Sequence, residues 1–293
     1  MNGVRVCVAV VVLGFAAVFA RQHWLDRVAT GAARDAMLVA VSRADGAVVQ
    51  PYDAQPDAVA FYPIGGASRA ADEVMRRFRR FYPAVPVLMQ SDRGDVAAIK
   101  RLAEKWNATH RALPGRFGRA DSGTIFDNVD DLMWWFWGMR DAAVWARAKW
   151  ILLLEDDVWV LRPISFAGMT ADINGLNPYG DAFSQADADV ASRVSGTPVP
   201  IQIFAGHGGT VYSARAVEAV FRHEATSRAL AAEYLKRNHW LPTDRLASFL
   251  TVCYNGKLGA WPETLTWMQS KLLEDVRLVA TQTEVLHYAK FLY

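Results

Sequence analysis

The chain has 293 residues, 52% of them hydrophobic and 12% aromatic, enough apolar material for the core of one large domain or two small ones. A net charge of +2, with acids and bases mixed along the chain, provides no basic stripe able to neutralise a phosphate backbone, which excludes a nucleic-acid binder. Of the two cysteines, Cys7 lies in an N-terminal apolar run, so Cys253 is alone in the folded part. That excludes an intradomain disulfide framework and a multi-cysteine zinc site and predicts a buried structural thiol.

After Arg5, residues Val6 to Ala20 are apolar or small without a break, and Arg21 ends the run. As a helix, this stretch would rise about 22 Å, less than the roughly 30 Å hydrocarbon core of a bilayer. Residues 1–22 are therefore expected to be a signal-anchor extended by His23 and Trp24 at the interface, or a signal peptide with small residues in Val18-Phe19-Ala20 for cleavage. The anchored form predicts a single-pass type II membrane protein facing the Golgi or ER lumen; the cleaved form predicts a secreted one. Asn107-Ala108-Thr109 is a glycosylation sequon suited to that compartment. Residues 23–56, rich in Ala, Arg and Asp, read as a stem.

From residue 57 to 293 the pattern is that of one α/β domain. Ala58 to Ile64 is an apolar strand closed by Gly65-Gly66, and Ala70 to Phe81 has helical spacing with Arg76, Arg77, Arg79 and Arg80 expected on an outer face. A second strand runs from Val85 to Gln90 and ends at Ser91-Asp92, after which Asp95 can cap a helix reaching about Asn107. A loop rich in Gly and Arg (114–123) precedes a long helix from about Phe126 to Lys149. Its Trp134, Trp135, Trp137 and Trp145 read as core packing rather than a sugar-stacking platform. Ile151 to Leu154 is a buried strand. Strands alternating with helices predict a mostly parallel sheet flanked by helices, with ligands beyond the carboxyl ends of the strands.

One of those ends is acidic. Glu155, Asp156 and Asp157 follow the apolar strand directly, and Val158-Trp159-Val160 resumes it. Like charges this close repel, and burial beside a core strand adds to the cost, which a divalent cation would offset. Alternation along an extended chain would send Glu155 and Asp157 to one face and Asp156 to the other. Hard oxygen ligands suit Mn²⁺ or Mg²⁺, ions that also bind substrate phosphates.

Apolar strand, Glu155-Asp156-Asp157 and then Val158-Trp159-Val160-Leu161 resembles the DxD region of glycosyltransferases with the GT-A fold, closest to the β-1,3-galactosyltransferase and Fringe-like type. The resemblance implies a Rossmann-like GT-A domain. Asp157 would be the direct metal ligand, with Glu155 and Asp156 meeting the ribose or the metal's waters and Glu155 also counted with the metal. Ala205-Gly206-His207-Gly208-Gly209 through Ser213 resembles the glycine-rich turn before a helix, with Gly208 and Gly209 on the acceptor side; Ser213 equally suits a helix cap. Leu241-Pro242-Thr243-Asp244-Arg245 resembles the acidic helix start of inverting members, where Asp244 would be the base, although Thr243 replaces a Glu and either residue could be a helix N-cap. Near the end, His287 would complete the metal site and Lys290 would meet the diphosphate. Pro63, Ile64, Gly65 and Asp92 would line the donor nucleotide.

The implied activity is sugar transfer from a nucleoside diphosphate, with a UDP-sugar favoured, to a hydroxyl on a glycan, glycoprotein or glycolipid. It would depend on Mn²⁺ or Mg²⁺ and invert the anomeric centre. Two alternatives stand beside it. Gly65-Gly66-Ala67-Ser68-Arg69 faintly resembles the phosphate loop of a sugar-phosphate nucleotidyltransferase, and a non-catalytic binding relative would keep the fold without turnover.

Overall fold

The computed structural model describes residues 36, 39, 57–91, 96–112, 125–126, 128–164, 166–175, 182–206, 208–239, 241–259, 264–266 and 285–287. The expected signal segment and all of the expected stem except residues 36 and 39, together with Asp92, Asp95, His207 and Lys290, lie outside them.

Strand β1 (Ala58–Ile64) is buried along its length except for Pro63, which is half-buried. Helix α1 (Arg69–Phe81) starts where Ser68 Oγ accepts the Ala71 N–H, and it buries Ala71, Val74, Met75, Phe78 and Phe81. Its four arginines do not form the expected outer basic face. Arg77 is buried, its guanidinium 4.1 Å over the Trp159 ring and bonded to Glu73. Arg79 donates to the carbonyls of Val85, Trp106 and Asn107, tying the helix end to two loops. Burial pulls the Arg79 pKa down to about 10, which still leaves it charged at neutral pH. The long aliphatic stem lets each arginine bury while its head finds acceptors.

Next come β2 (Val87–Ser91), α2 (Val96–Lys105) and β3 (Thr109–Ala112). The sequence pattern gave no sign of β3, whose half-exposed Thr-His-Arg-Ala lacks an apolar signature. After β4 (Ile125–Phe126), helix α3 (Val129–Ala146) is capped by Asn128 and closed by Arg147 in the left-handed region. It is shorter than expected at both ends. Trp135 is fully buried, Trp134 and Trp137 are half-buried and edge-to-face, and Trp145 is exposed.

Strand β5 (Trp150–Leu153) is followed by β6 (Trp159–Val160), a 3-10 turn at Phe166–Gly168 and β7 (Ile173–Asn174). Ser184 and Asp187 form a capping box on α4 (Gln185–Ser195). Strand β8 (Val211–Ser213) runs into α5 (Ala214–Arg222), capped by Ser213 as expected. Helix α6 (Glu224–Asn238), β9 (Leu241–Pro242), α7 (Thr243–Cys253), β10 (Leu258–Gly259), β11 (Thr264–Thr266) and β12 (Val285–His287) complete the order. Cys253 is buried and free, and burial pushes its thiol up to about 12. Among the described residues no helix is long and apolar enough to cross a membrane.

Among the described residues, seven strands form the main sheet in the order β10-β7-β8-β5-β1-β2-β3. All share one direction except β8, which is antiparallel to both neighbours. One apolar cluster lies under α1 and α2, built on Ala60, Tyr62, Leu152 and Leu154; the other lies under α3 to α7, built on Val59, Phe61, Ile151 and Leu153. The expected α/β sheet flanked by helices is therefore present. From β1 the chain winds outward to β2 and β3, then returns to place β5 on the other side of β1. That reversal is a topological switch point, where the connections leave the carboxyl ends of β1 and β5 in opposite directions and open a crevice.

Candidate active site

The acidic triplet sits at that crevice. Leu154 N–H still donates to the Phe61 carbonyl at 2.9 Å, so pairing with β1 continues one residue past β5. The chain then turns, with Val158 N–H donating to the Glu155 carbonyl at 3.0 Å. Alternation therefore governs Glu155 and Asp156 but not Asp157. Asp156 falls on the α1 side, where the Tyr62 hydroxyl donates to its Oδ1 at 2.7 Å. Glu155 falls on the α3 side, within electrostatic reach of Tyr212. Asp157, which a strand would have set beside Glu155, is carried by the turn into a buried position with 4% exposure, whereas Glu155 and Asp156 are half-buried.

Across the crevice, β1 ends at Ile64, whose side chain is in the core, leaving only its backbone to meet a ligand. Among the described residues, a Cβ added to Gly65 or Gly66 would meet nothing within 4 Å. The small sheet brings the chain's last described strand to the same place. Antiparallel β12 pairs Leu286 with Trp159 and Val285 with Val160, and continuing that register sets His287 opposite Val158, beside the acidic turn.

The glycine turn is pinned to β5 from the other side. Gly209 N–H donates to the Leu153 carbonyl at 2.8 Å, and Leu153 N–H donates to the Thr210 carbonyl at 3.0 Å. Gly209, at φ +86°, and Gly206, at φ +109°, occupy backbone conformations that side chains disfavour. A Cβ on Gly206 would lie 2.9 Å from Tyr212 Oη and 3.2 Å from Asp244 Cα. The tightly constrained glycines are thus Gly206 and Gly209; Gly208 is buried.

Helix α7 holds this turn from below. Ser248 Oγ accepts the Ala205 N–H at 2.9 Å and donates to the Ala205 carbonyl. Asp244 is one helical turn earlier on the same face, which brings it to Gly206. Pro242 occupies the N-cap position, so neither Thr243 nor Asp244 is the cap; the Asp244 carboxylate instead accepts the Arg245 N–H at 2.8 Å. Burial first, then the charges of Asp244 and Glu155, raise the Tyr212 pKa well above the phenolic range. Glu155, Tyr212 and Asp244 therefore share one electrostatic neighbourhood.

Among the described residues no three His, Cys, Asp or Glu side chains enclose a metal ion. The carboxylate oxygens at the strand end still suit a hard divalent cation that shares its coordination with substrate phosphates and water, since Mg²⁺-type sites commonly use one or two carboxylates. Tyr62, Tyr212 and Ser248 went unnoticed in the sequence because each reads as an ordinary strand or helix residue.

No protein-family model matches the chain, and no curated protein matches it. Solved structures do. The galactosyltransferase LgtC in complex with donor and acceptor sugar analogues matches with 11% identity and a TM-score of 0.45 over 79% of this chain and 86% of that one. The WbbM bifunctional glycosyltransferase matches with 10% identity and a TM-score of 0.44, and this chain spans 47% of its length. The mannosyltransferase PcManGT from Pyrobaculum calidifontis, in complex with GDP-Man and Mn²⁺, matches with 14% identity and a TM-score of 0.38, over 81% of this chain and 65% of that one.

Proposed function

We propose that the chain is a divalent-metal-dependent glycosyltransferase that moves a sugar from a nucleoside diphosphate, preferably UDP, to a hydroxyl of a glycan or glycoconjugate with inversion. The observation that carries this reading is the placement of Glu155-Asp156-Asp157 at the switch-point crevice, with Asp244 beside the Gly206–Tyr212 turn and Glu155 and Asp244 both acting on Tyr212. The acidic strand end and a second carboxylate share one electrostatic neighbourhood about Tyr212, an arrangement that suits metal-assisted displacement at a saccharide.

Asp157 and Glu155 would hold Mn²⁺ or Mg²⁺, with His287 reaching from β12. When bound, the cation offsets the charge that develops on the departing diphosphate. Tyr62 fixes Asp156 by its hydrogen bond, and Asp156 lies on the donor side. The backbone of Pro63, Ile64 and Gly65 would line the nucleotide, with Asp92 and Lys290 assigned to the base and the diphosphate. Gly208 and Gly209 border the acceptor. Asp244 accepts the acceptor hydroxyl's proton as its oxygen bonds to the anomeric carbon and the bond to the phosphate oxygen breaks, its electron pair leaving with the diphosphate. A lumen-facing location through the N-terminal segment belongs to the same reading.

The test is nucleoside diphosphate release from a panel of UDP- and GDP-sugars, with Mn²⁺, with EDTA and with Asp157→Ala. Turnover of one donor that falls by about a hundredfold or more in the variant, and stops with EDTA, is the expected result. Full activity in EDTA or in the variant would remove the acidic turn from the mechanism.

A further inference from the structure

Tyr212 is the middle residue of β8, paired with Ile151, and its ring is fully buried edge-on to Trp135 at 6.1 Å. Its hydroxyl is buried with no hydrogen-bond partner among the described residues. A buried hydroxyl without a partner is costly, and phenylalanine would pack the same ring without that cost. Unpaired buried polar atoms in a well-packed core therefore call for a use.

The hydroxyl points at the site. The place a Cβ on Gly206 would occupy is 2.9 Å from Tyr212 Oη, 3.2 Å from Asp244 Cα and 3.4 Å from Asp244 Cβ. Tyr212, the left-handed Gly206 and Asp244 meet at that one point. Burial and the neighbouring charges of Asp244 and Glu155 keep the phenol protonated, so it is available as a donor. In this structure the Asp244 carboxylate is turned onto its own helix, accepting the Arg245 N–H.

We infer that Tyr212 is a positioning residue for Asp244, its hydroxyl donating to that carboxylate in the arrangement that accepts the acceptor's proton. The inference rests on the reading of Asp244 as the base. Rotation about the Asp244 side chain moves one carboxylate oxygen from the helix start to Tyr212 and leaves the other to face the acceptor hydroxyl. The free protein carries the cost of the unpaired donor, and the reactive arrangement removes it, so the hydroxyl favours that arrangement over the resting one. Gly206 makes this possible, because any side chain there would fill the gap between the two groups.

The experiment compares the full chain with Tyr212→Phe, Asp244→Asn and the double variant. Thermal midpoints are measured without ligand. Turnover is measured with Mn²⁺, using UDP-glucose, UDP-galactose and GDP-mannose as donors and p-nitrophenyl glycosides as acceptors. Tyr212→Phe is expected to melt at the same temperature or higher. Its kcat is expected to fall about 10- to 100-fold with the donor KM unchanged, and the double variant to be no slower than Asp244→Asn, as for residues acting as a unit. A midpoint several degrees lower would overturn the inference by revealing a structural partner for the hydroxyl. So would wild-type kcat in Tyr212→Phe beside an inactive Asp244→Asn, or losses that multiply in the double variant. A fully active Asp244→Asn would instead bring down the base assignment, and this inference with it. A wild-type chain that turns over no donor in the panel would bring down the transferase reading, and this inference with it.

Discussion

The two halves of the main sheet are held by different forces. From β3 to β5 the strands are parallel, and β1, β2 and β5 are buried on both faces by the helices. From β8 to β10 the strands have two or three residues each, too few to bury much apolar area. There Asp172, immediately before β7 and 3% exposed, does the joining. Its carboxylate accepts from Ser213 Oγ at 2.8 Å, from Arg215 Nη2 at both oxygens and Nε at one, and from the Lys257 N–H at 2.9 Å. Its own N–H and carbonyl pair with Lys257 and Ser213. One side chain thus links β7, β8, α5 and the approach to β10. The crevice at the switch point lies where the halves join, with the acidic turn on the apolar half and the Gly206–Tyr212 turn on the polar one.

The largest effect is expected in the apolar half. Phe61 is fully buried, and its ring lies so close to Gly138 of α3 that a methyl there would sit 2.7 Å from it. Phe61→Ala should cost about 3–5 kcal/mol in urea denaturation, since the packed ring leaves a cavity with little room to collapse. Removing the hub of the other half should cost less. Asp172→Ala leaves a buried hydroxyl and backbone N–H unpaired, at about 1–3 kcal/mol. The exposed Arg215 head is solvated either way. Hydrogen exchange separates the two: Asp172→Ala should raise exchange in β7, β8 and β10 while β1 and β2 stay protected. Uniform loosening of all strands would erase the distinction between the halves.

The same contrast explains what could be read in advance. Strands β1, β2 and β5 stood out because burial on both faces demands unbroken apolar runs, and α1 because its buried stripe recurs at helical spacing. Edge strand β3 and the two-residue β7 and β10 carry no such mark; pairing with neighbours distant in sequence makes them strands. At the site, three adjacent acids after an apolar run advertise themselves by their electrostatic cost. Asp244 and the glycine turn were visible as residues, but their meeting was not, because it depends on Ser248 clipping α7 to Ala205. Asp172 looks in sequence like any other acid, and Tyr212 like any core aromatic. The two arginines expected outside, Arg77 and Arg79, were misplaced because spacing shows which face a residue is on, not whether a neighbouring loop covers it.

The smallest expected effect is the pH dependence of the Asp172 hub. Burial alone would raise this carboxyl, but the Lys257 N–H, the Arg215 guanidinium and the Ser213 hydroxyl outweigh it and hold the group below the usual carboxylate range. A folded pKa below the unfolded value of about 3.9 contributes stability above that value and loses it as pH falls through the folded one. The stability gap between wild type and Asp172→Ala should therefore hold steady between about pH 7 and pH 5 and narrow below about pH 4. Urea midpoints across that range measure it directly. A gap that persisted unchanged to about pH 2 would mean that the carboxylate's charge contributes nothing there. The polar half would then be held by shape and neutral hydrogen bonds, and the contrast with the apolar half would be one of strand length alone.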